Sequence, residues 1–478
     1  MKKQKIVRIF FPVIKGTAVR DIIKRKVLHQ LAAQLKKKGR HAFFIFLILE
    51  NKPTFEKEAE GLAYTWAQIP NIPWDNNPQV FFFRRLRNFL FGSMNDISTY
   101  NIFIKKVQKE HPVLYVIHKA IQKSCKIKLI RKCFRWLMNG IECFEIAATK
   151  KLDLPYQKIF DTHKPDLLYF HSYQDINLVP IARTAKRNST PFVAAVQSWD
   201  NLTTNGDIPV RPDKLLVWSE LMKHEAIVFD DYPKKDIIIA GSQQFDYHLI
   251  YAEDFLSKDS FFKTMQLDPK KKLITYTTTT PSLFPEEVEF IALLYKQVKS
   301  LSVPAQLLVR VYSKYGDAAK KFRKFQGKQD LIIDYAGQNK LLLTDLMPYD
   351  DEFLRHLSET MKYSDVIVNV ISSTNLDAFI FNTPVVNISF DGKKKKKYLD
   401  SVRRYDDYAH VQYVYQSNAS DFVYTEEELR NALEQYLGNR EKKSKERKKA
   451  VQYICGALDA KTNERIAKAL FEQIMHHH

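Results

Sequence analysis

The chain has 478 residues, of which 45% are apolar and 27% charged, and it carries a formal net charge of +21. This composition is typical of globular proteins and excludes a wholly disordered chain, because enough apolar surface is present to offset the entropy lost on folding. Four irregularly spaced cysteines exclude a disulfide framework and a C-x-x-C zinc knuckle, and they favour a reducing, cytoplasmic compartment. No apolar run approaches the roughly 18 residues of a transmembrane helix.

The first fifty residues predict the opening unit of a doubly wound α/β sheet. The N-terminus is basic and then apolar, like a signal peptide, but Arg8 and Pro12 interrupt the apolar run, so we interpret it as a first strand. The predicted elements are a strand over 5–14, a loop over 15–21, a helix over 21–38 and a buried strand over 41–50. Strand, helix and strand in succession indicate a parallel sheet with helices on its faces.

Residues from about 75 to 150 differ from the rest, because they are helical in pattern, basic and aromatic. Between Val80 and Trp136, thirteen lysines and arginines stand against two acidic residues, Asp96 and Glu110, so about half of the net charge lies in an eighth of the chain. We interpret this stretch as a helical insertion in the first domain. One hypothesis, which we favour, places its aromatic side chains in the boundary of an anionic membrane surface. The alternative is a helical hairpin that packs its aromatics on the sheet and leaves a basic face in solvent.

Strands and helices alternate again after residue 165 and then once more in a second domain. The predicted strands cover 166–173, 191–201, 213–219 and 236–241 in the first domain, and 272–280, 305–312, 331–335, 365–370 and 384–389 in the second. A polar stretch over 251–272 predicts a linker between the two series.

The predicted fold class is α/β, with two Rossmann-like doubly wound domains facing a cleft. The predicted boundaries are 1–255 for an acceptor-binding domain that includes the insertion at 75–150, 265–440 for a donor-binding domain, and 441–475 for a helical segment that is a candidate to cross both domains.

The most informative stretch runs from Ser364 to Asp391. A predicted strand leads into Ser372, Ser373 and Thr374, which open a helix. Free backbone N–H groups and the positive end of the helix dipole attract anions there, and the three hydroxyls add donors for phosphate oxygens. The alternative is that the serines only cap the helix.

This succession of strand, Ser-Ser-Thr turn, helix with an acidic residue and Pro-led strand resembles the donor-nucleotide site of GT-B glycosyltransferases. The resemblance implies that the second domain binds a sugar nucleotide, with the diphosphate at Ser372, Ser373 and Thr374 and the ribose hydroxyls on Asp377. The family commonly has glutamate where this chain has the shorter Asp377.

Residues 196–248 resemble bacterial surface-polysaccharide proteins and CDP-glycerol glycerophosphotransferase-like proteins. The W-H-G turn of the phosphotransferases corresponds here to Trp199–Asp200–Asn201, and their G-x-P-x-x-D element corresponds to the stretch from Gly241 to Asp246. Asp200 thus replaces the histidine that is often assigned as the base. This departure fits the related surface-carbohydrate glycosyltransferases better than a close phosphotransferase relative.

Sugar transfer needs a base for the acceptor hydroxyl and positive charge on the departing diphosphate. Asp200, at a predicted strand end, is the candidate catalytic base, and an Asx turn closed with Asn201 is the alternative. His171 and Asp175 are weaker candidates at the end of the neighbouring strand. Arg310 ends a strand of the second domain and is predicted to bind a donor phosphate, the alternative being a solvated charge.

The chain contains no D-x-D, H-x-x-x-H, P-loop, G-x-G-x-x-G or G-x-S-x-G motif. The resemblance, together with the absence of these motifs, implies a glycosyltransferase that uses a nucleotide sugar, no metal and no further cofactor, with a lipopolysaccharide or capsule glycan as acceptor. It would be cytoplasmic and peripheral on the inner face of the cytoplasmic membrane, without a nucleic-acid partner. The alternatives are a teichoic-acid-like CDP-alditol phosphotransferase, a basic nucleic-acid-binding protein and an inactive GT-B scaffold. The donor sugar, the nucleotide base and the stereochemical course remain open at this stage.

Overall fold

The computed structural model describes residues 5–49, 55–70, 77–335, 351–392 and 395–477. The chain divides into two compact units, of which unit 1 comprises residues 1–244 and 456–478, and unit 2 comprises residues 245–455. The first boundary thus follows residue 244, whereas the sequence placed it near 255. The predicted C-terminal segment 441–475 is divided between the units at residue 455.

Unit 1 is built on a parallel sheet with seven strands in its described part. These are β1 (Lys5–Pro12), β2 (Arg40–Ile48), β3 (Tyr64–Gln68), β4 (Leu167–Phe170), β5 (Phe192–Ala195), β6 (Lys214–Val217) and β7 (Ile237–Ile239). Their order is β3-β2-β1-β4-β5-β6-β7. The direction of winding reverses between β1 and β4, which opens a crevice at the carboxyl ends of the strands.

Helices cover both faces of this sheet, as its apolar strands require. Those of unit 1 outside the insertion are α1 (Gly16–Ala18), α2 (Val27–Lys37), α8 (Val179–Arg187), α9 (Asn201–Thr204), α10 (Glu220–Asp230) and α19 (Thr462–His477). The rings of Phe11 on β1 and Tyr169 on β4 stack at 5.8 Å between centroids in the core of the unit.

The segment predicted as a loop over 15–21 is helical, so that prediction is wrong. Helix α1 continues into a π-helical turn over Val19–Lys24, and α2 begins only after Lys26, which has a φ of 65°. The apolar side chains of Val19, Ile22 and Ile23 are buried in the core, and this burial holds the segment against the sheet.

The C-terminal helix α19 belongs to the core of unit 1. It packs against α2, and its residues Ile466, Leu470 and Ile474 are buried in the same apolar cluster as the strands of the sheet. The last helix is therefore part of the first unit, although more than 200 residues separate it from the rest of that unit along the chain.

The insertion lies between β3 and β4 and is helical, as predicted. It contains α3 (Pro78–Asn95), α4 (Ser98–Val107), α5 (Pro112–Ser124), α6 (Lys128–Ala148) and α7 (Lys150–His163). The start of α3 is fixed by Asn77, whose side-chain oxygen accepts hydrogen bonds from the backbone of Gln79 and Val80 at 3.0 and 3.1 Å, and by Pro78 in the first turn.

Unit 2 repeats the same strand order in a parallel sheet that has six strands among its described residues. Its strands are β8 (Lys272–Thr277), β9 (Ala305–Arg310), β10 (Leu331–Asp334), β11 (Val366–Asn369), β12 (Val385–Ile388) and β13 (Asp421–Val423), in the order β10-β9-β8-β11-β12-β13. The reversal here falls between β8 and β11. The prediction of two Rossmann-like doubly wound domains is confirmed.

The helices of unit 2 include one in the stretch that was predicted to be a linker. They are α11 (Gln243–Ile250, which begins in unit 1), α12 (Lys258–Thr264), α13 (Glu287–Val298), α14 (Asp351–Tyr363), α15 (Thr374–Ile380), α16 (Ala409–Ser417), α17 (Glu426–Gly438) and α18 (Ser444–Cys455). Phe261 and Phe262 of α12 are buried against Leu273 and Leu308 of the sheet. The linker prediction is therefore wrong, because these two aromatic residues make the stretch part of the core.

Among the described helices, none combines the length and the apolar character needed to cross a bilayer.

We predict that Leu470→Ala destabilises unit 1 by about 2–5 kcal/mol, because the change removes a fully buried side chain and leaves a cavity between α19 and the sheet. Urea or thermal unfolding monitored by circular dichroism measures the effect. Lys468→Ala on the exposed side of the same helix is the control, since its contact with Glu472 at 3.8 Å is an exposed ion pair of little weight. Equal stability of the two variants would contradict the placement of α19 in the core.

Candidate functional site

The residues predicted to bind the donor lie at the carboxyl ends of β9 and β11, on either side of β8. Arg310 is the last residue of β9, and Ser372, Ser373 and Thr374 follow the end of β11. Since neighbouring strands are about 4.8 Å apart, the two strand ends are separated by roughly 10 Å. One diphosphate with its attached groups can contact both positions.

The Ser-Ser-Thr turn is half-buried, and the hydroxyl of its central residue, Ser373, does not cap the helix. Ser373 is the N-cap of α15, yet its side chain makes no capping hydrogen bond. Ser372 accepts a long hydrogen bond of 3.3 Å from the backbone N–H of Thr374. Capping alone therefore does not account for the hydroxyl of Ser373.

A buried chain of amides, which the sequence analysis missed, fixes this turn against the sheet. Asn369 at the end of β11 donates to Asn375 at 3.0 Å, Asn375 donates to Asn387 at 2.8 Å, and Asn387 donates to Ser420 at 2.8 Å. All four residues are buried. The sequence does contain one sign of this chain: asparagines, Asn369 and Asn387, stand near the ends of two strands that are otherwise apolar.

Asp377 is buried and turned into unit 2, where its carboxylate already has partners. One oxygen of Asp377 accepts hydrogen bonds from the hydroxyl of Tyr247 at 3.0 Å and from Nε2 of His248 at 2.7 Å. Nδ1 of His248 lies 2.8 Å from the hydroxyl of Ser358. Asp377 thus joins α15 to α11 and α14, and the predicted contact with ribose remains a prediction.

Arg310 is a buried cation, and one of its nitrogens, Nη2, has no hydrogen-bond partner in the described part of the chain. Its Nη1 donates to Asp334 at 2.8 Å, and Nε2 of His356 lies 2.9 Å from the same carboxylate oxygen. The guanidinium stands 5.3 Å from the ring centroid of Phe353. Nη2 is buried and has no hydrogen-bond partner in the described part of the chain. Arg310 is therefore not a solvated strand-end charge, and its open donor suits an anionic oxygen.

A second acidic group lies near the end of β12. Asp406 accepts a hydrogen bond of 2.9 Å from the hydroxyl of Ser389, the residue that follows β12. Burial raises the pKa of Asp406 to about 7, and the nearby Asp407 adds to the shift, whereas the hydrogen bond from Ser389 opposes it. A buried carboxyl group at this edge therefore changes its charge near neutral pH.

In unit 1, Asp200 follows the end of β5 and is half-buried. Its carboxylate accepts hydrogen bonds from the hydroxyls of Ser198 at 2.5 Å and Thr204 at 3.2 Å. The side chain of Asn201 closes the same loop by accepting from the backbone of Ser198 at 2.7 Å. Asp200 thus orders its loop while part of its side chain remains accessible, so the turn-forming role and a catalytic role are compatible.

A buried cluster around Asp21, which the sequence analysis did not select, lies at the same edge of unit 1. Arg20 donates to both carboxylate oxygens of Asp21, at 2.6 and 2.8 Å, and Nε2 of His171 lies 3.2 Å from Asp21. Burial alone would raise the pKa of Asp21, but Arg20, His171 and Arg25 outweigh it and hold that pKa well below its usual value. The π-helical turn is what brings Arg20 and Asp21 to the strand ends, and the periodicity of the sequence does not show it.

The structure therefore gathers the predicted residues at two separate edges. Arg310 and the Ser-Ser-Thr turn lie at the carboxyl edge of unit 2. Asp200 and His171 lie at that of unit 1, together with Asp175, which pairs with Lys15 at 2.9 Å. Within the described ranges, no group of three or more His, Cys, Asp or Glu side chains is arranged to hold a metal ion.

No protein-family model and no curated protein sequence matches the chain. Solved structures are similar in fold. The UDP-GlcNAc 2-epimerase of Neisseria meningitidis bound to UDP-GlcNAc has a TM-score of 0.52 at 10% identity, over 99% of this chain and 100% of that chain. S. aureus MnaA with UDP has a TM-score of 0.51 at 11% identity, over 97% and 95% of the two chains. The UDP-GlcNAc 2-epimerase of Methanocaldococcus jannaschii has a TM-score of 0.50 at 13% identity, over 97% and 99%. The predicted GT-B type of fold is confirmed.

We predict that Asp406 makes the stability of unit 2 fall as the pH rises. Between about pH 4 and pH 7 the folded state keeps the proton of Asp406 and the unfolded state has released it, so stability falls by up to about 1.4 kcal/mol per pH unit. Asp406→Asn removes this dependence, which urea unfolding at a series of pH values measures. Asp400→Asn, an exposed site nearby in sequence, should keep the wild-type slope, and an unchanged slope in Asp406→Asn would refute the assignment.

Proposed function

We propose that the chain is a glycosyltransferase that moves a sugar from a nucleotide-activated donor to a bacterial surface-glycan acceptor without a metal ion. The observation that carries the proposal is the buried Arg310, whose Nη2 donor is open at the carboxyl edge of unit 2. The proteins of similar fold include structures with UDP and with UDP-GlcNAc, which supports a nucleotide sugar as the partner.

Unit 2 would bind the donor. Arg310 and the turn at Ser372, Ser373 and Thr374 would contact the diphosphate, and Asp377 would contact the ribose through the oxygen that Tyr247 and His248 leave free. As the bond between the sugar and the diphosphate breaks, negative charge grows on the departing phosphate. The guanidinium and the N–H and O–H donors of the turn stabilise that charge, which lowers the barrier.

Unit 1 would supply the base. The carboxylate of Asp200 takes the proton of the acceptor hydroxyl while the oxygen forms its bond to the sugar, so the proton ends on Asp200 and the nucleoside diphosphate leaves. The hydrogen bonds from Ser198 and Thr204 fix the orientation of the carboxylate. The acceptor we propose is a lipid-linked precursor of lipopolysaccharide or capsule, used at the inner face of the cytoplasmic membrane.

We predict that a panel of UDP-, CMP-, CDP- and GDP-linked compounds contains a ligand that raises the melting temperature of the protein. The double variant Ser372→Ala, Ser373→Ala should weaken the binding of that ligand about 100-fold or more, since it removes two hydroxyls and each hydroxyl that bonds a charged phosphate contributes about 1.5–3 kcal/mol. Isothermal titration calorimetry measures the change.

Ser300→Ala, at an exposed turn beyond α13, should bind the donor as the wild type does. A response to CDP-glycerol alone would favour the alditol phosphotransferase. Conversion of UDP-GlcNAc without any acceptor would favour an epimerase, and no response to any compound would overturn the proposal.

We predict that Asp200→Asn lowers kcat about 10²–10⁴-fold and leaves donor affinity unchanged, because the amide keeps the size of the side chain and one acceptor oxygen but cannot take a proton. A transfer assay with a purified acceptor measures kcat for Asp200→Asn and, for comparison, for His171→Gln. Full activity in Asp200→Asn together with loss in His171→Gln would move the base to the His171–Asp21 pair.

A further inference from the structure

The insertion concentrates the exposed apolar surface of the protein. In the described part of the chain, 21 large apolar side chains are exposed, and twelve of them lie between Phe81 and Phe144. Folded proteins rarely leave such a concentration in water, and where they do it marks a surface that contacts a partner.

Helix α6 turns an apolar stripe toward solvent. Leu129, Trp136 and Phe144 expose 71, 78 and 69% of their surface, and together with Cys133 and Gly140 they recur at intervals of three and four residues along one face of the helix. The residues buried on the opposite side are Met138 and Glu145. The apolar face of this helix is therefore the outer one.

Helix α5 has the same arrangement. Val113 and Val116 are exposed on one side of the helix, and His118 and Ile121 are buried on the other. The ring of His118 is held at 2.9 Å by Ser93 of α3 and at 2.8 Å by Asn101 of α4. The outward face of α5 is thus fixed by contacts on its inner side.

Arginines attach the insertion to the rest of unit 1. Arg87 of α3 is buried and pairs with Asp207 and Glu145, and Arg135 of α6 pairs with Asp231 at 2.7 Å. Arg131 donates to the backbone oxygen of Val228 in α10 at 2.5 Å. These contacts orient α6, so its exposed stripe is a feature of an anchored helix.

Whereas the arginines contact the protein, the lysines of the insertion are exposed to solvent. Eight of them are exposed over 105–132, a stretch whose one acidic residue is Glu110: Lys105, Lys106, Lys109, Lys119, Lys123, Lys126, Lys128 and Lys132. A surface groove of about 540 Å³ runs beside Trp136 and is lined by Lys128, Arg131, Lys132, Arg135 and Asp231. Its excess of cations suits an anionic headgroup.

We propose that the outer faces of α5 and α6 dock on an anionic phospholipid bilayer. Leu129, Trp136, Phe144 and the aliphatic residues of α5 enter the boundary between headgroups and acyl chains, and the lysines contact lipid phosphates.

The combination of side chains favours lipid over other partners. Nucleic acid would use the lysines and Trp136 but gives no favourable environment to exposed Val113, Val116 and Leu129. Protein interfaces are depleted in lysine, whereas eight lysines accompany this surface. A bilayer takes both the apolar and the cationic groups.

The test is sedimentation of the full chain with sucrose-loaded vesicles of phosphatidylcholine, with and without phosphatidylglycerol. We expect binding that needs phosphatidylglycerol and weakens with added salt. The stripe variant Leu129→Ser, Trp136→Ser, Phe144→Ser should bind about 10-fold or more weakly. Its control is Leu283→Ser, Tyr453→Ser, which changes exposed residues of unit 2 and should bind like the wild type.

A second pair of variants tests the charges. Lys126→Gln, Lys128→Gln, Lys132→Gln should lose affinity, and Lys445→Gln, Lys448→Gln, Lys449→Gln, with the same change in net charge on exposed positions of α18, should not. Equal losses in both would show that only the net charge matters and would overturn the docking face.

Tryptophan fluorescence tests the depth of the contact in the otherwise unaltered chain. Brominated lipids should quench the wild type, and Trp136→Phe should lose that quenching. Absence of vesicle binding, binding of RNA without vesicle binding, or quenching that survives in Trp136→Phe would each overturn the proposal. Because vesicle binding is read without any donor or acceptor, its failure is distinct from a failure of the proposed transferase activity.

Discussion

The reversal of strand order in each parallel sheet is the constraint from which the rest of the structure follows. A parallel sheet buries both faces under helices, so polar side chains have room only at the ends of the strands. Where the winding reverses, between β1 and β4 in unit 1 and between β8 and β11 in unit 2, the loops diverge and leave an open edge. Every candidate residue other than Asp377 lies at one of these two edges. The order of the strands therefore already determines where the candidate site residues can lie.

Sequence patterns predict the sheets well, because buried parallel strands are short apolar runs that few other structures produce. The predictions fail where a polar stretch contains a few apolar residues that become buried. The segment around Arg20 looks like a loop, yet Ile22 and Ile23 draw it into the core and convert it into a π-helical turn. The stretch around Phe261 looks like a linker, yet its two aromatic residues fold it onto unit 2. In both cases a few buried apolar side chains outweigh the polar composition around them.

The candidate site shows a similar limit. The position of Ser373 at a strand end was predictable from spacing, and so was that of Arg310. The partners of Asp377 were not, because Tyr247 and His248 are about 130 residues away along the chain. The amide chain through Asn375 was equally hidden, since an asparagine inside a helix has no periodicity of its own. Spacing predicts which residues reach an edge, and long-range packing decides which way their side chains turn.

The arrangement at the edge of unit 2 bears on how a ligand would be stabilised. Arg310 is held by Asp334 and by the face of Phe353, and the turn after β11 is held by the buried amides, so neither needs to reorganise on binding. Within the described chain, Nη2 of Arg310 and the side-chain oxygen of Asn369 are nevertheless buried without a hydrogen-bond partner. A buried polar atom left unpaired costs about 1–3 kcal/mol. The unpaired atoms raise the free energy of the protein without a ligand, so a ligand that supplies the missing hydrogen-bond partner binds more favourably. For Nη2 of Arg310, an anionic oxygen is such a partner.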